Sequence, residues 1–113
     1  QYNLGVLYHT GNGVEKNTEV AIKWYTKAAN AGTSDAQHNL GLIYGYGDGV
    51  EQNSEIAIEW YTKAANNGCT NAQYNLGIMY STGNGVEQNS EVATKWYTKV
   101  ANGSVLRLER WTL

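Results

Sequence analysis

The chain carries at residues 37–66 the stretch QHNLGLIYGYGDGVEQNSEIAIEWYTKAAN, and most of this stretch occurs twice more. Its opening QHNLG corresponds to QYNLG at residues 1–5 and again at residues 73–77. Its close WYTKAAN is found at residues 24–30 and, as WYTKVAN, at residues 96–102. The period is 36 residues, and a fixed period of this length is typical of proteins built from stacked repeat units.

Small and apolar residues recur at spacings of three and four in both halves of the unit. In the first half they are Ala36, Leu40, Ile43 and Tyr44, and in the second half Ala57, Trp60, Tyr61, Ala64 and Ala65. These spacings predict two amphipathic helices, which we name helix A, near 34–46, and helix B, near 54–66. The Asn-Gly and Asp-Gly dipeptides between them would favour hairpins between strands, but the flanking period is 3.6 and not 2. The sequence therefore predicts an all-α fold.

Helix ends and helix contacts are also marked in the sequence. We expect Gly47 to end helix A in a left-handed conformation and Asn53 to cap helix B with its side chain, as Asn17 and Asn89 do in the other units. A glycine follows the buried leucine of helix A in each unit; these are Gly5, Gly41 and Gly77. We interpret this glycine as the point of close approach between helices A and B, where a side chain would force the helices apart.

These residues resemble the Sel-one-like repeats, a branch of the tetratricopeptide superfamily. The family's unit resembles A-x-x-x-L-G-x-x-Y-x-x-G-x-G-V, followed after a spacer by A-x-x-W-Y-x-x-A-A-x-x-G. The matching residues of the second unit are Ala36, Leu40, Gly41, Tyr44, Gly47, Gly49, Val50, Ala57, Trp60, Tyr61, Ala64, Ala65 and Gly68. The resemblance implies an alpha-alpha superhelix, a right-handed solenoid of antiparallel helix pairs, used as an adaptor in protein complexes. Unlike disulfide-stapled relatives, this chain carries only Cys69.

The repeat array is predicted to span residues 1–102, and its three units are residues 1–36, 37–72 and 73–102. Residues 103–113 leave the pattern where another helix A would begin. The spacing of Val105, Leu108 and Trp111 favours an atypical helix that caps the third unit. A disordered remnant is the equal alternative. The chain has no initiating Met, and we expect it to be a piece of a longer protein.

Composition argues against several classes of partner. The net charge of −2 gives no basic field to attract nucleic acid or an anionic membrane surface, and no apolar run reaches the roughly 18 residues of a membrane span. A lone cysteine offers no disulfide framework, which makes the cytoplasm the default location and leaves a luminal or secreted one open. We therefore expect neither nucleic acid nor membrane as a partner.

Candidate chemical sites have simpler interpretations. His9 and His38 lie far from other metal ligands in the sequence, so we interpret both as surface residues and expect no metal site. Cys69 lacks a matching His and Asp, and we interpret it as structural. The glycines at 45, 47 and 49 fit an interhelical turn better than a phosphate-binding loop. We expect no catalytic residue and no cofactor, and a small-molecule ligand is not expected.

The prediction for function is a protein-interaction module or adaptor that binds a peptide or helix of a partner protein. Two alternatives stay open. The chain could be a regulatory or substrate-docking region of an enzyme, such as a hydrolase or a kinase-linked parent protein, or it could be a purely structural spacer.

The binding surface is predicted on helix A, opposite the face of Ala36, Leu40 and Tyr44. By resemblance to tetratricopeptide arrays, this second face lines a concave groove. Differences between the units gather there. The candidate residues are Tyr2, Val6, His9, His38, Leu42, Tyr46, Tyr74, Ile78 and Thr82. For the aliphatic row, Val6, Leu42 and Ile78, packing between neighbouring A helices is the alternative.

Overall fold

The computed structural model describes residues 1–11 and 13–112, with side chains described as far as Asn102. The described residues form six helices: α1 (Tyr2–Thr10), α2 (Thr18–Asn30), α3 (Ser34–Tyr46), α4 (Ser54–Asn66), α5 (Thr70–Thr82) and α6 (Ser90–Thr112). Odd-numbered helices are the A helices and even-numbered helices the B helices. The all-α prediction is confirmed, and α3 and α4 begin and end where the sequence predicts.

The predicted helix ends are formed as expected. The side chain of Asn53 accepts a hydrogen bond from the backbone N–H of Ile56 at 3.1 Å, which satisfies one of the free donors at the start of α4. Asn17 and Asn89 make the same bond at the starts of α2 and α6. Gly47 ends α3 with a φ of 70°, a conformation that costs glycine little.

The core lies between the B helix of one unit and the A helix of the next. One buried cluster combines Ala21, Tyr25, Ala28 and Ala29 of α2 with Ala36, Leu40 and Ile43 of α3. A second cluster combines the corresponding residues of α4 and α5. A single unit would leave these faces exposed, so the units are stable only when stacked, as in other solenoids.

Within a unit, an aromatic ring lies directly on a glycine. A Cβ atom built on Gly41 would stand 2.6 Å from ring carbons of Tyr61, a residue that is only 4% exposed. Gly5 and Gly77 meet their own B-helix tyrosines at the same distance. The predicted close approach of helices A and B at these glycines is therefore confirmed, and the tyrosine ring is what requires it.

A buried glutamine ties each unit to the one before it. Nε2 of Gln37 donates to the carbonyl oxygen of Ala29 at the end of α2, and its Oε1 accepts from Nδ2 of Asn67, both at 3.0 Å. Gln73 makes the first bond, to Ala65, but its Oε1 has no partner among the described residues. The position that corresponds to Asn67 is residue 103, a glycine with no side chain to donate.

The last helix is longer than the other B helices. In the first two units, helix B is followed by Gly32 and Gly68, which adopt φ values of 95° and 87°. The corresponding residue of the third unit is Ser104, for which this conformation is costly, and α6 continues to Thr112. The predicted capping contact depends on side chains of residues 103–113, which lie outside the described ones, and it stays a prediction.

Candidate partner-binding face

The nine candidate residues all lie on α1, α3 and α5, and we call the surface they form the A face. Its members are Tyr2, Val6, His9, His38, Leu42, Tyr46, Tyr74, Ile78 and Thr82. They differ strongly in exposure and in contacts. Some hold neighbouring units together, whereas others are open to solvent.

One position near the start of each A helix takes part in hydrogen bonds between units. We call the residues at this position, Tyr2, His38 and Tyr74, the ladder residues. The side-chain N–H of Asn39 donates to the hydroxyl of Tyr2 at 3.2 Å, and that of Asn75 donates to Nε2 of His38 at 3.3 Å. Tyr2 and His38 are half-buried as a result. Tyr74 occupies the third such position and is 52% exposed. Of this row, Tyr74 is the residue with the most surface to offer a partner.

Each of these ladder residues also packs on the tyrosine of its own B helix. The ring centroids of Tyr2 and Tyr25 are 5.8 Å apart, and those of His38 and Tyr61 are 5.9 Å apart. Burial raises the pKa of Tyr25 and of Tyr61 to about 12, with smaller contributions from Tyr2 and Tyr46 respectively. Both hydroxyls therefore stay protonated at neutral pH and are able to donate hydrogen bonds.

His9 is an inter-unit link, which corrects its interpretation as a surface residue. Its Nε2 donates to Oδ2 of Asp48 in the loop of the second unit at 2.7 Å, and its Nδ1 lies 3.3 Å from the hydroxyl of Tyr25. The hydrogen bond from His9, aided by the charges of His9 and Lys16, lowers the pKa of the Asp48 carboxyl. His38, the other predicted surface histidine, is half-buried as described above.

Glycine replaces this histidine in the second unit and leaves a pocket. Gly45 stands where His9 stands one period earlier. A pocket of about 130 Å³ lies there between α3, α4, α5 and the loop that follows α5. Its polar lining consists of Tyr61, Asn75 and Asn84, and its apolar lining includes Tyr46, Ile78 and Met79. In the third unit Ser81 occupies this position, and its hydroxyl lies 3.4 Å from that of Tyr97.

The aliphatic row divides between packing and exposure. Val6 and Leu42 are half-buried and pack against the first and second core clusters. Ile78 is 38% exposed, and Tyr46 is 79% exposed. Thr82 is exposed and turns its hydroxyl to the carbonyl of Ile78, at 2.8 Å. The accessible apolar part of the A face is therefore Tyr46, Tyr74 and Ile78, which we call the exposed patch.

Each B helix carries a tryptophan with a lysine ammonium group over its ring. Trp24, Trp60 and Trp96 are half-buried, whereas Tyr25 and Tyr61 are buried. The ammonium groups of the following lysines lie 4.7–4.8 Å from the three indole centroids, a cation–π arrangement. An open depression of about 380 Å³ beside Trp24 is lined by α2 alone. No polar groups from different helices converge there.

Other chemical features of the described part of the chain are few. It contains no group of three or more His, Cys, Asp or Glu side chains that could hold a metal ion. None of its helices is long and apolar enough to cross a membrane. Cys69 is half-buried directly before α5, where it packs against the second core cluster.

The repeats match a family model described as the Sel1 repeat, at residues 1–33, 34–69 and 70–104. The chain belongs to the Sel1 repeat family. Repeats of this family generally mediate protein–protein interactions, and Sel1 repeat proteins are typically non-enzymatic scaffolds. Among curated proteins, none matches the chain significantly.

Solved structures of Sel1 repeat proteins share the fold. The chain is 38% identical to a Sel1 repeat protein from Oxalobacter formigenes, with a TM-score of 0.85 over 90% of this chain and 42% of that one. It is 43% identical to a protective antigen of uropathogenic Escherichia coli strains that displays an SLR fold, with a TM-score of 0.87 over 90% of this chain and 22% of that one. Helicobacter pylori cysteine-rich protein B shares the fold at 24% identity, with a TM-score of 0.73 over 76% of this chain and 65% of that one. The chain thus spans less than half the length of the first two.

The Sel1 array is expected to lose stability in mild acid through His38. Burial lowers the pKa of this imidazole below its ordinary 6.5, and the opposing effect of Asp35 is smaller. As the pH falls, the unfolded chain therefore takes up the proton before the folded chain does. The free energy of unfolding keeps its full value above pH 6.5 and declines as the pH falls below that value. His38→Tyr, which restores the residue of the other two units, is expected to reduce the decline.

Urea unfolding at about pH 7.5 and about pH 5.5 measures this effect, because histidine in the unfolded chain titrates in that interval and unperturbed carboxyl groups ionise mostly below it. His9 is present in both proteins, so the difference between them reports His38 alone. An equal loss of stability in the wild type and in His38→Tyr would contradict the assignment.

Proposed function

We propose that this Sel1 array is an adaptor whose A face binds a peptide or helix of a partner protein. The observation that carries the proposal is the exposed patch. Tyr74 and Ile78 lie one turn apart on α5, and Ile78 lines the same pocket as Tyr46 of α3. The three side chains therefore form one apolar surface that crosses from one unit to the next.

The chemistry of this surface suits protein recognition. Tyrosine offers a large contact area and a hydroxyl, and few of its torsions have to be fixed on binding. Tyr46 and Tyr74 are largely exposed, so a partner would bury much of their surface. Val6 and Leu42 pack against the two core clusters, so they contribute to the stability of the helices that carry the face.

The proposal predicts that the double variant Tyr46→Ala, Tyr74→Ala binds selected peptides at least about tenfold more weakly than the wild type. Tenfold corresponds to about 1.4 kcal/mol, a modest loss for two aromatic anchors. The measurement is the dissociation constant of peptides selected on the wild-type array from a random library displayed on phage. Circular dichroism checks that the variant keeps its helical signal, since neither residue belongs to the buried core.

The matched control alters the outer face of α4. Glu59 and Lys63 are exposed there, and their double change to Ala should leave the affinity unchanged. Undiminished binding by the Tyr46, Tyr74 variant, with loss on changing Glu59 and Lys63, contradicts the proposal. A selection that enriches no binding peptide points instead to the spacer alternative.

A further inference from the structure

We propose that the pocket at Gly45 receives an imidazole group, namely a histidine side chain of the segment bound on the A face. This inference rests on the proposed function for the source of the histidine. The pocket itself is argued from the repeat symmetry of the chain, because the first unit shows which group occupies the same position.

The pocket and the site of His9 are built from corresponding residues. Tyr61 corresponds to Tyr25 and Asn84 to Asp48, each one period later in the sequence. In the first unit, the imidazole of His9 lies between the Tyr25 hydroxyl, at 3.3 Å, and the Asp48 carboxylate, at 2.7 Å. In the second unit the tyrosine hydroxyl is retained and the amide of Asn84 replaces the carboxylate, while the imidazole is replaced by the hydrogen atom of Gly45.

The side chains of Tyr61 and Asn84 match both nitrogens of a neutral imidazole. A ring in this position would accept from the Tyr61 hydroxyl, which is protonated at neutral pH, and would donate its N–H to the amide oxygen of Asn84. The Tyr61 hydroxyl lies 3.6 Å from where a Cβ atom on Gly45 would stand, so it faces into the space. Met79 and Ile78 line the same pocket and offer apolar contact to the ring.

The size of the pocket suits one small ring. Its volume is about 130 Å³, and a cavity of about 150 Å³ is known to hold a benzene molecule. The pocket opens beside Tyr46, which is 79% exposed and belongs to the exposed patch. A peptide that crosses the patch could therefore place one side chain into the pocket while its neighbours contact Tyr46 and Ile78.

The first test uses small probes and NMR. Imidazole and N-acetylhistidine methylamide are titrated into the wild-type chain at about pH 8, where the free ring is neutral. We expect the side-chain amide signals of Asn75 and Asn84 to shift, with dissociation constants of about the millimolar order for so few atoms. N-acetylphenylalanine methylamide, which lacks the ring nitrogens, should leave these signals in place. Absence of an imidazole-dependent shift at Asn84 overturns the proposal.

Two variants complete the test. Gly45→His supplies the ring from the chain itself, as His9 does in the first unit, and should abolish the shift at Asn84. Asn84→Asp reproduces the carboxylate of Asp48 and, followed at the remaining side-chain amide signal of Asn75, should tighten imidazole binding at least about threefold, because charge-assisted hydrogen bonds are stronger. An unchanged titration in either variant counts against the pocket, so the test does not depend on the folding of Gly45→His alone.

The same variants separate this inference from the proposed function. If selected peptides carry a histidine and Gly45→His weakens them at least about tenfold, both proposals are supported. If peptides depend on Tyr46 and Tyr74 but tolerate Gly45→His, the A face binds partners and the histidine inference is wrong. If imidazole enters the pocket while no peptide binds the face, the pocket is supported and the proposed function fails.

Discussion

Replacing Gly41 by valine is expected to lower the free energy of unfolding by about 1–3 kcal/mol. The new Cβ atom would stand 2.6 Å from the ring carbons of Tyr61, far inside van der Waals contact. The ring cannot easily move away, because Tyr61 is buried in the second core cluster. Valine is a better helix former than glycine by a few tenths of a kcal/mol, so the loss measures crowding and not helix propensity.

Gly45→Ala is the matched control for this substitution. Gly45 lies one turn later in the same helix, where a Cβ atom would make ordinary contacts of 3.6 Å with Ala57 and Tyr61. We expect this variant to be neutral or to gain up to about 1 kcal/mol from helix propensity. Urea unfolding of both variants gives the comparison. An unchanged midpoint for Gly41→Val, or equal losses at the two positions, would show that the tyrosine does not require the glycine.

Gln37→Leu is expected to cost about 2 kcal/mol, whereas Gln73→Leu should be close to neutral. Gln37 makes two side-chain hydrogen bonds, to Ala29 and Asn67, and each contributes about 1 kcal/mol. Gln73 makes one such bond, and its buried Oε1 is unpaired within the described residues. Leucine there removes one bond and one costly unpaired oxygen together.

Denaturant midpoints of the two leucine variants decide this point, because the residues occupy the same position of successive units and are similarly buried. The difference between their unfolding free energies isolates the bond from Asn67 and the unpaired oxygen. Similar losses in both variants would mean that Oε1 of Gln73 is satisfied in solution, and the account of this tie between units would then be incorrect.

The sequence predicted the structure of a single unit well. Helices α3 and α4 have the predicted bounds because the repeat shows the helical spacing several times and Asn53 and Gly47 mark the ends by local chemistry. The close approach at Gly41 could also be predicted, since a residue that is glycine in every unit indicates a steric requirement. The partner ring could not be named, because the period does not specify how helix B is rotated against helix A.

Contacts between units were the part that the sequence did not reveal. His9 meets Asp48, and Tyr2 meets Asn39, at separations of 39 and 37 residues. Such pairs depend on the rotation and shift between stacked units, which the repeat pattern does not contain. The predicted binding face therefore included residues that hold units together alongside the exposed patch. The exchange of His9 for Gly45 between otherwise similar units was visible in the sequence, but the bond from His9 to Asp48 that it removes was not.

The central claim is that the A face of this Sel1 array binds a partner segment, and isoleucine methyl NMR tests it most directly. The chain is titrated with a peptide selected on the wild-type array, and the δ1-methyl signals are followed. Ile78 lies in the exposed patch, whereas Ile22 and Ile56 lie on the B helices α2 and α4. The account predicts that the Ile78 signal shifts and that those of Ile22 and Ile56 do not. Shifts at Ile22 or Ile56 with none at Ile78 would contradict it.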